Sequence, residues 1–271
     1  IHRAGHVAKP RLRGSDGMDF GATWLFSTML MRLMDQMNSG RRPPTHMAIF
    51  FDPSRDGTWR KKVFPAYKAD RPETPAELKA QIPVMQQVCT QIGIPWAISM
   101  GYEADDLIAA YANDAADEGS FVSILSGDKD LMQLVRTNVL QYNDLTKKWY
   151  KLSDVEEKFG VPAHLVGDFL AMAGDSADGV PGVRGIGPVY AARLLVEYGS
   201  LEAMIEDPEI IENKGLRKKM QDSVEEARMS RRLTVLTGEG VPRPLSREEI
   251  QKTPDAEMRS RTIDWLRSKT D

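Results

Sequence analysis

Apolar residues between Gly21 and Met37 recur at helical spacing, which predicts a helix that Asn38, Gly40 and Pro43 bring to an end. Its Met-rich face reads as core packing, since Met commonly fills irregular gaps. The run HMAIFFD reads as a short buried strand ending in Asp52, and a second helix is expected from Pro75 to Ile92, followed by the strand WAISM. GYEADDLIAAYANDAADEG reads as a helix with acids in its first turn, FVSILS as a strand, and GDKDLMQLV again as a helix start rich in acids. VLQYND and KKWYKL read as a strand pair. Strands and helices that alternate to about residue 150 imply a mostly parallel sheet covered by helices. Beyond Val155 the pattern changes to short helices, with a Gly/Pro-rich turn inside GDSADGVPGVRGIGPVYAARLL, a polar linker over 238 to 254 and a modest helix in the last seventeen residues.

Length and composition are those of an ordinary globular protein with one large domain or two. The net charge of -3 argues against indiscriminate coating of nucleic acid, but charge is segregated along the chain. Residues 55 to 71 and residues 214 to 232 each carry a local excess of +4. An acidic site flanked by basic strips suits a polyanion held by its backbone. The one cysteine, Cys89, allows no internal disulfide, fits a reducing compartment and reads as a buried structural thiol. The apolar stretch WLFSTMLMRLMDQM is too short to span a bilayer and is interrupted by Arg32 and Asp35, so no membrane association is expected.

Candidate chemistry lies in eight carboxylates that recur just after strand-like runs: Asp52, then Glu103, Asp105 and Asp106, then Asp128 and Asp130, then Asp175 and Asp178. Acidic helix caps are commonplace, so one such group alone would say little. Four groups at successive strand ends point instead to one edge of an α/β sheet, where open sheets place their sites. Side by side, these carboxylates stay ionised only if cations neutralise them. Oxygen ligands without Cys or His select Mg²⁺ or Mn²⁺, and two such ions are the usual machinery for attack on a phosphodiester. Asp175 and Asp178, three residues apart, are placed to share a second ion. The four histidines are scattered without ligand spacing, and there is no phosphate-binding GxxxxGK[ST] loop.

Two further segments fit a nucleic-acid substrate. PGVRGIGPVYAARLL reads as a helix-hairpin-helix, in which Gly182, Gly185 and Gly187 let the backbone approach a phosphate, Arg184 adds charge and the next helix presents free N–H groups. Such a turn reads duplex backbone without sequence preference. In FPAYKADRP, Lys68 and Arg71 are cations able to stabilise charge building on a phosphate, and Tyr67 is a ring able to stack on an unpaired base.

Taken in order and at these spacings, FPAYKADRP, GYEADD, SGDKDLMQLV and FLAMAGDSADGVPGVRGIGPVYAARLL resemble the bacterial 5′-nuclease family. That family comprises the N-terminal 5′→3′ exonuclease domain of DNA polymerase I and its stand-alone flap-endonuclease relatives. The resemblance runs to about residue 250. It implies a PIN-like α/β domain over residues 1–155 with a basic helical arch near 54–78, a helical H3TH domain over 156–237, and a linker and tail over 238–271. It implies that all eight carboxylates are metal ligands, with Asp128 also counted among the catalytic groups beside Lys68 and Arg71. Arg60, Tyr67, Lys68, Arg71, Gly182, Arg184, Gly185 and Gly187 are expected to bind DNA, and the hairpin to hold a K⁺ ion. The implied activity is two-metal hydrolysis of 5′-flaps and nicked or 5′-ended duplexes in primer removal and repair. The implied setting is a monomer in the bacterial cytoplasm, nucleoid-associated, with a polymerase module as a possible fusion partner. The family begins with a strand carrying a further metal-binding Asp just upstream of a segment that looks like IHRAGH, whereas the given sequence opens at Ile1. The alternative expectation is therefore a non-catalytic DNA-junction binding module. A PIN-like ribonuclease is a weaker rival, disfavoured by the hairpin and the long basic arch.

Overall fold

A computed structural model describes residues 20–39, 43–54, 57–251 and 256–270. The basic opening of the chain, Gly40, Arg55 and Asp56 lie outside the described residues. In chain order the elements are α1 (Gly21–Asn38), β1 (Ile49–Phe50), α2 (Trp59–Val63), α3 (Ala76–Gln91), β2 (Trp96–Ala97), α4 (Ala104–Asp117) and β3 (Val122–Leu125). A 3₁₀ turn at Asp130–Leu134 leads to β4 (Val139–Asn143) and β5 (Lys148–Tyr150), then α5 (Leu152–Phe159) and α6 (Val166–Ala173). The remainder is α7 (Pro188–Tyr198), α8 (Leu201–Glu206), α9 (Lys214–Gln221), α10 (Val224–Thr234), α11 (Arg247–Ile250) and α12 (Ala256–Thr270).

The chain divides into two compact units, one built from residues 1–51, 72–98 and 244–271, the other from 52–71 and 99–243. In the first, β1 pairs in parallel with β2, and the Phe51 N–H donates to the Ala97 carbonyl at 3.0 Å. Met34 of α1, Phe51, Met85, Val88 and Cys89 of α3, and Leu266 of α12 form its core. Gln81 of α3 ties α1 in place, its Oε1 accepting from the Thr23 N–H at 3.0 Å and the Thr23 hydroxyl at 3.2 Å. That bond satisfies a donor at the α1 N-terminus, where helix N–H groups lack intrahelical partners.

In the second unit, β3 pairs in parallel with β4, which pairs antiparallel with β5. The expected strand pair is thus a hairpin closing on a parallel ladder. Asp130–Leu134 is a 3₁₀ turn rather than the opening of a longer helix. Gln141 explains the tight geometry before it: its side-chain amide donates to the carbonyls of Ser126 at 2.9 Å and Asp128 at 2.6 Å, fixing the chain as it leaves β3. The helices beyond Val155 enclose a separate core that includes Val155, Val166, Leu170, Met172, Leu195 and Met204, with α10 packed along α6. Among the described residues no helix is long and apolar enough to cross a membrane.

Candidate active site

All eight carboxylates belong to the second unit, together with Arg60, Tyr67, Lys68 and Arg71. Asp52 follows the first strand run, and its Oδ1 accepts the Ala104 N–H at the start of α4 at 2.8 Å. Glu103 precedes α4 and Asp105 and Asp106 occupy its first turn, where the helix dipole favours negative charge. Asp128 follows β3 and accepts the Asp130 N–H at 3.1 Å. Asp175 and Asp178 sit in a turn between α6 and the hairpin, closed by reciprocal backbone bonds between Asp175 and Val180.

Two of the carboxylates respond to their neighbours. Burial pushes the Asp105 carboxyl well above the usual range, and the charges of Asp128 and Asp52 push it the same way. Burial, then Asp128, pushes Asp130 up to about 7. Asp130 also has a buried Oδ1 with no hydrogen-bond partner among the described residues. An all-oxygen set in which Asp105 and Asp130 resist ionisation, with an unsatisfied buried oxygen on Asp130, has the donor chemistry of a hard divalent cation.

The other four carboxylates are held by cations of the protein. Both oxygens of Asp106 accept from the Arg60 guanidinium at 2.8 Å, and Arg60 Nη1 reaches Glu103 Oε2 at 3.2 Å. Lys68 Nζ lies 2.8 Å from Glu103 Oε1 and 3.7 Å from Asp178 Oδ2. Arg71 pairs with Asp178 Oδ1 through Nη2 and donates from Nε to the Ala177 carbonyl at 3.0 Å. Lys129 Nζ lies 2.6 Å from Asp175 Oδ2. Burial alone would raise the Asp175 carboxyl, but the bond and charge of Lys129 outweigh it and hold it below its ordinary value. Among the described residues no group of three or more His, Cys, Asp or Glu side chains is gathered tightly enough to hold a metal ion.

The arch residues differ in their placement. Arg60 is only 2% exposed and donates from Nε to the Leu233 carbonyl at 2.8 Å. A guanidinium so enclosed orients carboxylates and offers no face to DNA. Tyr67 is also buried, its hydroxyl 3.0 Å from Glu103 Oε2, and burial followed by the Glu103 charge raises its phenol. Its ring is therefore not open to a stacking base. Lys68 adopts a left-handed backbone with φ 53°, which costs a non-glycine residue energy and is held here by its N–H bond to the Asp178 carbonyl at 2.8 Å. In the hairpin, Arg184, Gly185 and Gly187 are exposed, whereas Gly182 is buried with its N–H on Ser230 Oγ at 3.1 Å. Trp59, which donates from Nε1 to Asp106 Oδ2 at 3.3 Å, and Lys129 were not singled out from the sequence. For Lys129 a signal existed, since it lies between two acids in SGDKD.

Residues 1–160 match the N-terminal resolvase-like domain of the 5′-3′ exonuclease family, and residues 161–257 match its C-terminal SAM fold. The chain belongs to the 5′-3′ exonuclease family. Among members of this family, the 5′-3′ exonuclease of Aquifex aeolicus is 35% identical over 97% of this chain and 88% of its own length. DNA polymerase I of Rhizobium leguminosarum is 42% identical over 87% of this chain but only 23% of its own length, so the chain spans about a quarter of that relative. The T5 5′-exonuclease, solved with zinc ions bound, aligns over 91% of both chains with a TM-score of 0.68 at 19% identity, which establishes the shared fold.

Proposed function

We propose that this 5′-3′ exonuclease is a structure-specific, divalent-metal-dependent nuclease that removes 5′-flaps and 5′-terminal nucleotides from nicked or 5′-ended duplex DNA, as primer removal and repair require. The observation that carries this reading is the buried Oδ1 of Asp130, unpartnered among the described residues, in a set of acids where burial and then the charges of Asp128 and Asp52 raise Asp105, and burial and then Asp128 raise Asp130. These four would hold cations together with Glu103, Asp175 and Asp178, and Mg²⁺ or Mn²⁺ suits such oxygens best. Two bound cations would supply a hydroxide nucleophile at neutral pH and neutralise the leaving oxygen.

The chain's own cations do the rest. Lys68 and Arg71 already stand against Glu103 and Asp178, and are the groups to neutralise a phosphate as charge builds on it. Arg60 holds Glu103 and Asp106 in place from beneath, and Asp106, with both oxygens occupied by Arg60, belongs to this support. Duplex DNA is gripped through the exposed turn at Arg184, Gly185 and Gly187 and the N-terminus of α7. The Gly185 carbonyl already accepts the Lys219 ammonium at 2.9 Å, so the reading needs no K⁺ there.

An α/β nuclease domain over 1–155, an H3TH domain over 156–237 and a tail over 238–271 form part of the same proposal. So do a monomeric state, a place in the bacterial cytoplasm and a polymerase module of the kind named in the Rhizobium leguminosarum relative. The test is Mg²⁺-dependent cleavage of a labelled 5′-flap DNA by this chain, with EDTA and Asp128→Asn as controls. Cleavage at the junction that both controls abolish supports the enzyme. Tight flap binding without cleavage would make the chain a junction-binding module instead.

A further inference from the structure

Behind Asp106 lies a cavity of about 470 Å³ that the reaction described above does not use. Trp59 and Tyr102 form its aromatic wall, Arg228, Arg231 and Arg232 its cationic wall, and Glu202 stands among the arginines. The volume is within the usual range for a small-molecule site, roughly 300–1,000 Å³.

The charges are not used up internally. Asp106 lines the cavity, but both its oxygens are taken by the buried Arg60. Arg228 approaches Glu202 and Glu225 only at 3.8 Å each, beyond hydrogen-bond length, and is half exposed. Arg231 spends its Nε on Asp168 at 2.8 Å, which leaves the fork of its guanidinium. Arg232 is exposed at the end of α10. Planar guanidinium forks match phosphate oxygens. The aromatic wall is pre-set: the Trp59 indole is fixed by its bond to Asp106 and by the Arg60 guanidinium 4.6 Å from its centroid, and the Tyr102 hydroxyl donates to the Gly240 carbonyl at 3.2 Å. Rings held by hydrogen bonds beside guanidinium groups suit an unpaired nucleotide, because every base offers a face to stack. A purely apolar ligand would leave the arginines unpaired on entry.

We propose that this cavity binds one unpaired nucleotide, its base against Trp59 and Tyr102, its phosphate on Arg228 and Arg232, and Glu202 accepting from the base or sugar. The nucleotide can come from a bound DNA strand or be a free mononucleotide. The proposal rests on the nuclease reading only for that choice of source.

The test uses the full chain in EDTA, so that metal-bridged phosphate at the carboxylates does not contribute. The probes are 2-aminopurine deoxyriboside 5′-monophosphate and a nicked duplex with one unpaired 2-aminopurine, whose fluorescence falls on stacking. Saturable quenching that persists in Asp128→Asn and weakens at least about ten-fold in Arg228→Ala/Arg232→Ala, with the variant's circular dichroism unchanged, is the expected result. Quenching of the mononucleotide assigns the site to a free nucleotide, and quenching of the duplex alone assigns it to the strand. No saturable quenching with either probe, or quenching indifferent to the two arginines, overturns the proposal. Flap cleavage in Mg²⁺ is scored separately, so a failure here with cleavage intact sinks the pocket and leaves the nuclease standing.

Discussion

Arg60 and Asp106 form a two-pronged ion pair, Nη1 to Oδ2 and Nη2 to Oδ1 both at 2.8 Å, with side-chain exposures of 2% and 6%. Despite the cost of burying a guanidinium, Asp106 and then Glu103 raise its pKa further above an already high value. The pair joins α2 to the first turn of α4, and the Arg60 bond to the Leu233 carbonyl adds the end of α10. A buried pair contributes little net stability over an apolar replacement, but removing one partner leaves the other charge stranded.

Arg60→Met is therefore expected to lower the free energy of unfolding by about 3–5 kcal/mol, read from urea denaturation. Arg60→Met/Asp106→Leu should recover much of that loss, because no charge is left uncompensated. Arg60→Lys should not, since an ammonium cannot span both oxygens. Additive losses in the double variant would show that the pair is not the source of the cost.

Arg60 also marks where the sequence stops being legible. The acid groups, the strand ends that carry them and the hairpin follow from local pattern, because helix dipoles and turn geometry act over a few residues. Whether a cation in a basic loop faces DNA or is enclosed depends on what packs over it, and Leu233, which accepts from Arg60, lies 173 residues away. Tyr67 is similar: in FPAYKADRP it reads as a ring able to stack on an unpaired base, but the ring is covered by Val180 and Leu233. HMAIFFD is a hydrophobic run of strand character, yet the strand itself spans Ile49–Phe50. Periodicity marks that a strand exists better than it marks its ends.

Cys89 was legible as a buried thiol, and its environment makes a second expectation. Fully enclosed in the core with Met85, Val88 and Ile92, it has its thiol pushed up by burial from its ordinary 9.0 to about 12. The native state holds this proton where the unfolded chain releases it, so its contribution to stability is complete below pH 9 and is lost as pH rises from about 9 toward 12. At pH 8, iodoacetamide should leave the native protein unlabelled and alkylate it fully in concentrated urea. Stoichiometric labelling of the native protein at that pH would contradict the burial.

Asp128 offers a clean separation of chemistry from binding. It is exposed, pairs with no cation among the described residues and raises both Asp105 and Asp130. Asp128→Asn should lower kcat on flap DNA by roughly 10²-fold or more, while Kd measured in EDTA changes by less than about three-fold. Equal losses in both would place Asp128 in DNA binding instead.

Gly182 and Gly187 look alike in the motif PGVRGIG but face opposite constraints. Gly182 has φ 72°, and a Cβ there would lie 2.6 Å from the Gly174 nitrogen and 2.8 Å from the Met172 carbonyl oxygen, all backbone that cannot step aside. The left-handed conformation alone costs a side chain about 1–2 kcal/mol, and the collision adds to it. Gly182→Ala should therefore lose more than about 3 kcal/mol of stability, or fail to fold, whatever its effect on DNA. Gly187 has an ordinary φ of -86° and open space where a Cβ would go. Gly187→Ala should keep its urea midpoint within about 0.5 kcal/mol of the wild type. Any loss of flap affinity in that variant then reports on the approach of a phosphate to the N-terminus of α7, where an added methyl group stands between the backbone N–H groups and the DNA. An unchanged affinity in Gly187→Ala would mean that duplex DNA is held elsewhere, and that the hairpin glycines serve the packing of Gly182 against Gly174.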